Sequence, residues 1–351
     1  MKPLSAETLH RLVLHAVGVL LMFAGIALVA LTAHSVMNYR LIAGRHGGET
    51  MDLGSDAALQ AGQHGRMARI VATPSVIEAP TDPEFNLRVS TPVLIRHVEM
   101  FQWREVRLGG DISYELDWVD HPLDSSHFKQ PGGHMNPASF PLPEKRFDAG
   151  LIQMGGFKLA PKLLRALPGF APVQPDTKAL PANLAASFSP YNRYLVTSAQ
   201  PGNPRLGDVR VSWEDVPLQE MTIFARVDGN QLVPAIDAPD GKGYDIEVGN
   251  VALIDMLPDL PTPPEYLFLK RALALLLATL GAFVLLLARE RRRDVLLAAG
   301  LGMMSVGAVS TVLWLGNDAG VMAAWLAVTA IGIGLSVWRL RRPTRSPSAG
   351  G

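Results

Sequence analysis

The chain of 351 residues contains no cysteine. That absence excludes disulfides, thiolate metal sites and a cysteine nucleophile. It leaves the compartment open, because an oxidising compartment permits disulfides without requiring them. No charge sign dominates either, with Lys plus Arg and Asp plus Glu both at 32. A balanced chain gives no reason to expect a nucleic-acid partner. Also missing are the short signatures of common chemistries: no His-Glu-x-x-His, no Gly-x-Ser-x-Gly elbow and no Walker A loop occurs. Long apolar runs, by contrast, are abundant, and they gather at the two ends of the chain. The middle is polar and rich in proline.

Leu12 to Ala33 is the first run. About 20 apolar residues suffice to cross a hydrocarbon core of roughly 30 Å. A signal peptide would have a shorter apolar core of about 7–15 residues, and Leu31 stands where cleavage wants a small residue. An uncleaved anchor is therefore expected, with His15 a neutral imidazole near the headgroups. Three more runs follow: Ala272 to Ala288, Val295 to Leu315 and Ala319 to Trp338. None of the three holds Asp, Glu, Lys, Arg or His, whereas ion and proton paths usually need polar groups at membrane depth. A pump or proton-coupled transporter is disfavoured on that ground.

Arg-rich short loops stay in the cytoplasm. The cluster Arg289 to Arg293 and the tail from Arg339 through Arg345 point inward, and Gly316-Asn317-Asp318 points outward. The layout that satisfies every loop has a cytoplasmic N-terminus (1–11), spans at 12–33, 272–288, 295–315 and 319–338, and a cytoplasmic basic tail (339–351). Residues 36–265 then form one extracytoplasmic or lumenal domain. Ala, Arg, Gly and Pro usage without Cys looks bacterial, so the membrane would be a bacterial inner membrane. Small residues recur at fourth positions, Ala298 with Gly302, Gly307 with Thr311, Gly320 with Ala324 and Ala330 with Gly334. That spacing lets helix backbones approach closely, and it also follows from an alanine-rich composition.

Alternation of apolar and polar residues marks half-buried strands in the middle domain: Met67 to Thr73, Val93 to Val106, Ile112 to Val119, Val209 to Trp213, Met221 to Val227 and Gln231 to Ala235. Leu108-Gly109-Gly110-Asp111 and Asp228-Gly229-Asn230 read as hairpin turns. Phe157 to Leu167 reads as a helix with Pro161 in its first turn; its leucine stripe packs on a sheet or, alternatively, lies on a membrane surface. Residues 168–206 read as surface loop. The expected fold class is a multi-pass α-helical membrane protein, one helix early and three late, with a β-rich α+β extracytoplasmic domain.

Several motifs in this domain occur in a fixed order. Asp82-Pro83-Glu84-Phe85 precedes Arg96-His97-Val98-Glu99-Met100-Phe101-Gln102-Trp103. Tyr114-Glu115-Leu116-Asp117-Trp118, Gly133-His134-Met135-Asn136-Pro137, Gly207-Asp208-Val209-Arg210-Val211-Ser212 and Gly229-Asn230-Gln231-Leu232-Val233-Pro234 follow. In these motifs and their order the chain resembles the transmembrane protein 43 family, also called LUMA. The resemblance implies a multi-pass protein whose animal members lie in the endoplasmic reticulum and inner nuclear membrane. There they are described as organising the membrane with emerin and lamins and as self-associating. For this chain it implies a membrane scaffold whose partners are the lipid bilayer, other membrane proteins and further copies of itself. It transfers no enzymatic activity and no cofactor. The positions that carry it are His97, Glu99, Trp103, Trp118, His134, Asn136, Pro137, Gly207 and Asp208.

Other chemistry can be read from the residues. Asp117, Asp120, His121, Asp124, His127 and His134 invite a divalent-metal reading, but their spacing matches no metal motif. Ser125, Ser126, His127 and Asp124 contain the letters of a hydrolase triad, whose members meet through the fold and not through sequence adjacency. His97 and Glu99 share a strand face and form either an acid/base pair or an exposed cross-strand pair. Trp103 and Trp118 read as core. His134 in a turn fixed by Asn136 and Pro137 is the position to watch. Beside the scaffold stand two alternatives: an extracytoplasmic enzyme or metal-binding module built on His134 and nearby carboxylates, and a transporter or channel component.

Overall fold

A computed structural model describes residues 6–55, 57–288 and 294–341. The Arg289–Arg293 cluster and tail residues Arg342 and Arg345, on which the expected inward orientation leans, lie outside the described residues. The chain divides into two compact units, Met1–Ile42 with Asp259–Gly351, and Ala43–Pro258.

The first unit is helical. Its helices are Ala6–Arg45, Leu267–Ala288, Val295–Leu313 and Ala319–Arg341, each long and apolar enough to cross a membrane. The N-terminal helix has 40 residues and overshoots the apolar run. At about 1.5 Å per residue it is roughly twice the length a hydrocarbon core requires. Residues 34–43 contain no proline or glycine, so nothing stops the helix before Gly44, Gly47 and Gly48. The second helix starts at Leu267, immediately after Pro263-Pro264. Asp294 caps the third helix through the Leu297 N–H (3.1 Å), and Asp318 caps the fourth through the Val321 N–H (3.0 Å).

Glycines set the spacing between these helices. A Cβ at Gly25 would lie 2.5 Å from the Ala274 carbonyl oxygen, and one at Gly281 would lie 2.5 Å from the Met22 nitrogen. Gly302 meets Thr279, Gly307 meets Thr329, and Gly300 and Gly332 meet each other's carbonyl oxygens. Of the four expected small-residue pairs, those holding Gly302 and Gly307 do pack. Among the described residues Gly320 meets only Asp318, and Gly334 meets nothing within 4 Å. The apolar centre comprises Val29, Ala33, Val36, Ala274, Ala278, Val306, Trp314 and Trp325.

The second unit is β-rich. An eight-stranded sheet runs Thr50–Gly54, Met67–Ala72, Met221–Asp228, Gln231–Val233, Phe157–Leu159, Leu151–Met154, Ser75–Glu78, with Asp245–Val248 also on Met221–Asp228. A seven-stranded sheet runs Ser189–Tyr191, Tyr194–Val196, Val209–Asp215, Val93–Leu108, Asp111–Val119. Ala171–Val173 joins it on Val209–Asp215, and Lys145–Asp148 joins on Val93–Leu108. The Val93–Leu108 strand, 16 residues long, is its spine. It turns at Gly109 (φ 57°) and Gly110 (φ 100°), the positive-φ pair that a two-residue hairpin requires.

Two expectations change here. Phe157 to Leu167 is not one helix: Phe157–Leu159 is a strand, and only Pro161–Arg165 is helical. The residue before a proline is pushed to extended backbone, and Ala160 sits at φ −67°, ψ 150°. The stripe Leu159, Leu163, Leu164 and Leu167 is buried in the core of the eight-stranded sheet, not spread on a membrane. Residues 168–206, read as loop, hold three short strands and the helix Ala182–Ser187.

Candidate functional site

All the ordered motifs but one converge on the Val93–Leu108 strand; Gly229–Pro234 instead forms the turn and strand after Met221–Asp228 in the eight-stranded sheet. The side chains of Val93–Leu108 alternate strictly between two faces. Leu94, Arg96, Val98, Met100 and Gln102 are buried, while His97, Glu99, Phe101 and Trp103 are half-buried on the other face. Leu94, Val98 and Met100 pack with Phe85, Phe188, Leu195, Val211 and Trp213. Arg96 lies among them at 0% exposure, a position that demands a partner for its charge. Asp82, also at 0%, supplies it: Nη1 lies 2.9 Å from Oδ1 and 3.1 Å from Oδ2. Trp213 Nε1 donates to Asp82 Oδ2 (3.0 Å), Arg96 Nε and Nη2 donate to the Pro143 carbonyl (3.3 and 3.2 Å), and Glu84 adds a second carboxylate at 2.5 Å. The Asp-Pro-Glu-Phe motif thus serves the strand motif: Asp82 and Glu84 neutralise Arg96, and the Phe85 ring lies 5.4 Å from its guanidinium.

The edge of the strand that faces Val209–Asp215 is clipped by motif residues. Gly207 donates its N–H to the Phe101 carbonyl (2.9 Å), and Phe101 donates to the Asp208 carbonyl (2.8 Å). Gly207 takes φ 86°, a left-handed conformation that glycine adopts freely. Two residues further on, Asn136 continues the ladder with its side chain. Its Oδ1 accepts the Trp103 N–H (2.8 Å), and its Nδ2 donates to the carbonyls of Trp103 (2.9 Å) and Leu123 (3.3 Å). Pro137 approaches Gly207, with its ring 3.5 Å from where a Cβ would stand. Asp208 accepts from the Arg205 N–H (2.7 Å) and the Thr197 hydroxyl (3.3 Å). On the core side, buried Gln102 donates to the His121 carbonyl (2.7 Å) and accepts from the Leu123 N–H (3.2 Å). His134 stacks on Tyr114 (3.9 Å, 17°), meets Trp103 edge-on (4.8 Å), and its Nδ1 donates to the Gln130 carbonyl (3.0 Å).

His97 and Glu99 share a face, yet each points to a different partner. Glu99 takes a two-pronged pair from Arg210, both contacts 2.6 Å, directly across the strand ladder. The Arg210 guanidinium is sandwiched between Trp118 (4.8 Å) and Tyr194 (4.5 Å). His97 lies 3.3 Å from Glu214 and 3.6 Å from Glu144. Trp118 and Trp103 are therefore half-buried on this polar face, not in the core. Trp213 is the buried indole, at 1% exposure. The alternation of the strands decides this, since Phe101 pairs with Trp118 in register and both share the side of Glu99.

The histidine and carboxylate cluster does not converge. His121 Nδ1 sits 2.6 Å from neighbouring Asp120, and His127 sits 2.9 Å from Asp124. Asp117 instead pairs with Arg104. Among the described residues no group of three His, Asp or Glu side chains forms a metal site. The triad letters also fall in the wrong order. The Ser126 hydroxyl donates to Asp124 (2.6 Å) and His127 contacts the same aspartate, so the carboxylate lies between hydroxyl and imidazole. Ser125 is buried and accepts the Asn136 N–H (2.9 Å). A cavity of about 600 Å³, lined in part by Glu99, Arg104, Trp118, Asp120, His121 and His127, opens here. The His121 hydrogen bond holds Asp120 below its ordinary range, and the Ser126 hydroxyl does so for Asp124. The Lys129 N–H and then Arg107 do the same for Glu105. Carboxylates held as anions are poor general acids near neutral pH.

The sequence pattern of the family described as Transmembrane protein 43 matches residues 102–315. The chain belongs to the transmembrane protein 43 family. Among curated proteins, rat Transmembrane protein 43 is 26% identical over 198 residues, covering 48% of this chain and 47% of the relative. Human Transmembrane protein 43 is 27% identical with the same coverage, and the Drosophila melanogaster homolog is 23% identical over 197 residues, half of each chain. The chain thus spans about half the length of the curated relatives it matches. No solved structure matches it. With four candidate spans, this member of the transmembrane protein 43 family is an integral membrane protein.

The family match runs from Gln102 through the Asn136 loop into the third helix. Asp82 and Arg96, the buried ion pair, precede it. Both residues stand in the sequence motifs, and nothing local in the sequence relates one to the other. The usable signal was an arginine at a core-facing position of an alternating strand, which requires an acid somewhere nearby in the fold.

Proposed function

We propose that this chain is a non-enzymatic membrane scaffold, acting through protein contacts of residues 43–258 and through association of its helices with further copies. One observation carries the reading: the polar atoms of Asn136, Gln102, Asp82 and Glu99 are already spent on the chain itself. Asn136 and Gln102 clip loops to the long strand, Asp82 neutralises Arg96, and Glu99 holds Arg210. Residues used this way preserve a shape, and a preserved shape suits recognition by another protein better than turnover of a substrate. The Transmembrane protein 43 name of its relatives is consistent with this and assigns no reaction.

In the same proposal both termini face the cytoplasm and the β unit faces away from it, in a bacterial inner membrane. Support comes from the Arg-rich sequence after the second and fourth helices. Two measurements test the proposal. Purification in mild detergent should yield oligomers or a co-purifying membrane protein, unchanged by His134→Ala; monomers without a partner would sink the scaffold. Protease added outside sealed cells should cut within 43–258 and leave the basic tail intact; the reverse pattern refutes the orientation.

A further inference from the structure

Where the first apolar run ends, the helical unit contains a cavity of about 460 Å³ that the scaffold reading does not use. It is lined by His34, Met37, Asn38, Arg40 and Leu41 of the N-terminal helix and by Trp314 and Asn317 after the third. Residues 34, 37, 38 and 41 recur at i, i+3, i+4 and i+7, the spacing of a single helix face. The lining is divided by chemistry. Met37 and the Trp314 ring, itself 1% exposed, form an apolar floor, and the exposed Leu41 adds to the apolar lining. His34, Asn38, Arg40 and Asn317 form a polar rim. The Arg40 guanidinium lies 5.6 Å from the Trp314 ring centroid, and its Nη1 donates to Asp318 Oδ2 (2.9 Å). The side chains of His34 and Asn38 have no hydrogen-bond partner among the described residues.

We propose that this cavity binds the headgroup of one zwitterionic phospholipid of the phosphatidylethanolamine class. Position is the first argument. The apolar run ends at Ala33, and residues 34–41 occupy roughly the next 12 Å of helix, which covers the polar layer bordering a hydrocarbon core. A site at that depth with an apolar floor and a polar rim suits a molecule that is itself half apolar. Charge is the second. Arg40 spends one donor on Asp318 and keeps others for a phosphate, and Asn38 and His34 add donors beside it. Asp318 balances the guanidinium, so the site is close to neutral. A net anion gains less there than a zwitterion, whose phosphate lies toward Arg40 and Asn38 and whose ammonium lies toward Asp318.

The test uses the full chain in detergent, titrated with dihexanoyl-phosphatidylethanolamine, dihexanoyl-phosphatidylglycerol or inorganic phosphate, with adducts counted by native mass spectrometry. The proposal expects saturation at one phosphatidylethanolamine per chain, phosphatidylglycerol about tenfold weaker, and no adduct with phosphate. Asn38→Asp, isosteric but anionic, should weaken the phosphatidylethanolamine adduct about tenfold or more. His34→Leu should weaken it less. Both side chains lack partners, so helical circular dichroism should be unchanged in both variants. Binding of phosphate alone as tightly as the lipid, equal binding of the two lipids, or full retention by Asn38→Asp would each overturn the site.

Discussion

At Gly25 the helical unit leaves no room for a side chain, whereas at Arg96 the β unit encloses one of the largest and most polar. In lipid, helices gain little by hiding apolar surface from one another and associate through close packing. Gly25 against Ala274, Gly281 against Met22 and Gly300 against Gly332 are that kind of contact. In water a sheet gains by burying Val98, Met100 and Val211, and it can also enclose an ion pair if every donor finds an acceptor. Arg96, Asp82, Trp213 and the Pro143 carbonyl meet that condition. Removing the critical residue should therefore damage the β unit, while adding to it should damage the helices.

The largest effect is expected from Asp82→Asn. It leaves the enclosed Arg96 with the partly exposed Glu84 as its remaining counter-charge, and breaking a buried pair from one side costs up to about 3–5 kcal/mol, a large part of a typical domain stability of about 5–15 kcal/mol. Urea melts followed by limited proteolysis within residues 43–258 should show it. Asp82→Leu combined with Arg96→Met should recover most of the loss; if the double variant is as unstable as the single, charge is not what matters there.

Next comes the helical side of the contrast. Gly25→Leu or Gly281→Leu forces a side chain into neighbouring backbone and should cost about 1–3 kcal/mol, read as loss of helicity on titrating sodium dodecyl sulfate into mild-detergent micelles. Gly334→Leu, where a Cβ would meet no other described residue within 4 Å, should change it by less than about 0.5 kcal/mol. Equal effects at all three sites would break the comparison.

Asn136→Ala should fall close behind, at about 1–3 kcal/mol, because it strips partners from both the amide and the carbonyl of Trp103. Asn136→Asp restores the acceptor but sets a carboxylate against two carbonyls, so it should not rescue. His134→Ala removes stacking on Tyr114 and should cost only about 0.5–1.5 kcal/mol. Thermal melts of the three variants rank them, and a His134 variant worse than Asn136→Ala would return attention to the imidazole.

What the sequence reveals and what it hides divides along the same line. Apolar runs announce helices directly, and Gly109-Gly110 announces its hairpin, because each signal is local. The continuation of the first helix through residues 34–45 is hidden, since its residues are helix-compatible without forming an unbroken apolar run. Pro161 was legible as a helix start, and the strand before it was masked by a shared leucine stripe. The order of the motifs shows the family, but their purpose is long-range. Asp82 serves Arg96 from 14 residues away, and Asn136 serves Trp103 from 33. Trp103 and Trp118 read as core from the sequence, and only the register with Glu99 and Arg210 places them on the polar face.

A smaller effect should appear with pH, and in the β unit it centres on Glu105. Its carboxylate accepts the Lys129 N–H (2.6 Å), Arg107 (2.7 and 2.8 Å) and the Tyr114 hydroxyl (3.0 Å). The Lys129 N–H first, and then Arg107, hold it below the ordinary carboxylate range. A carboxylate depressed on folding contributes stability that is fully present above its unfolded pKa, about 4.3, and is lost as pH falls through the folded value. Wild type should therefore lose more stability than Glu105→Gln between about pH 6 and pH 3, with the difference confined below about pH 4.5. Because Glu105 ties the loop at Lys129 to the strand that carries Trp103, the protection of the Lys129 and Gln130 amides against hydrogen exchange, relative to the intrinsic rate at each pH, should fall over the same interval. Parallel pH curves for wild type and Glu105→Gln would mean that the loop is held by His134 stacking and Asn136 alone.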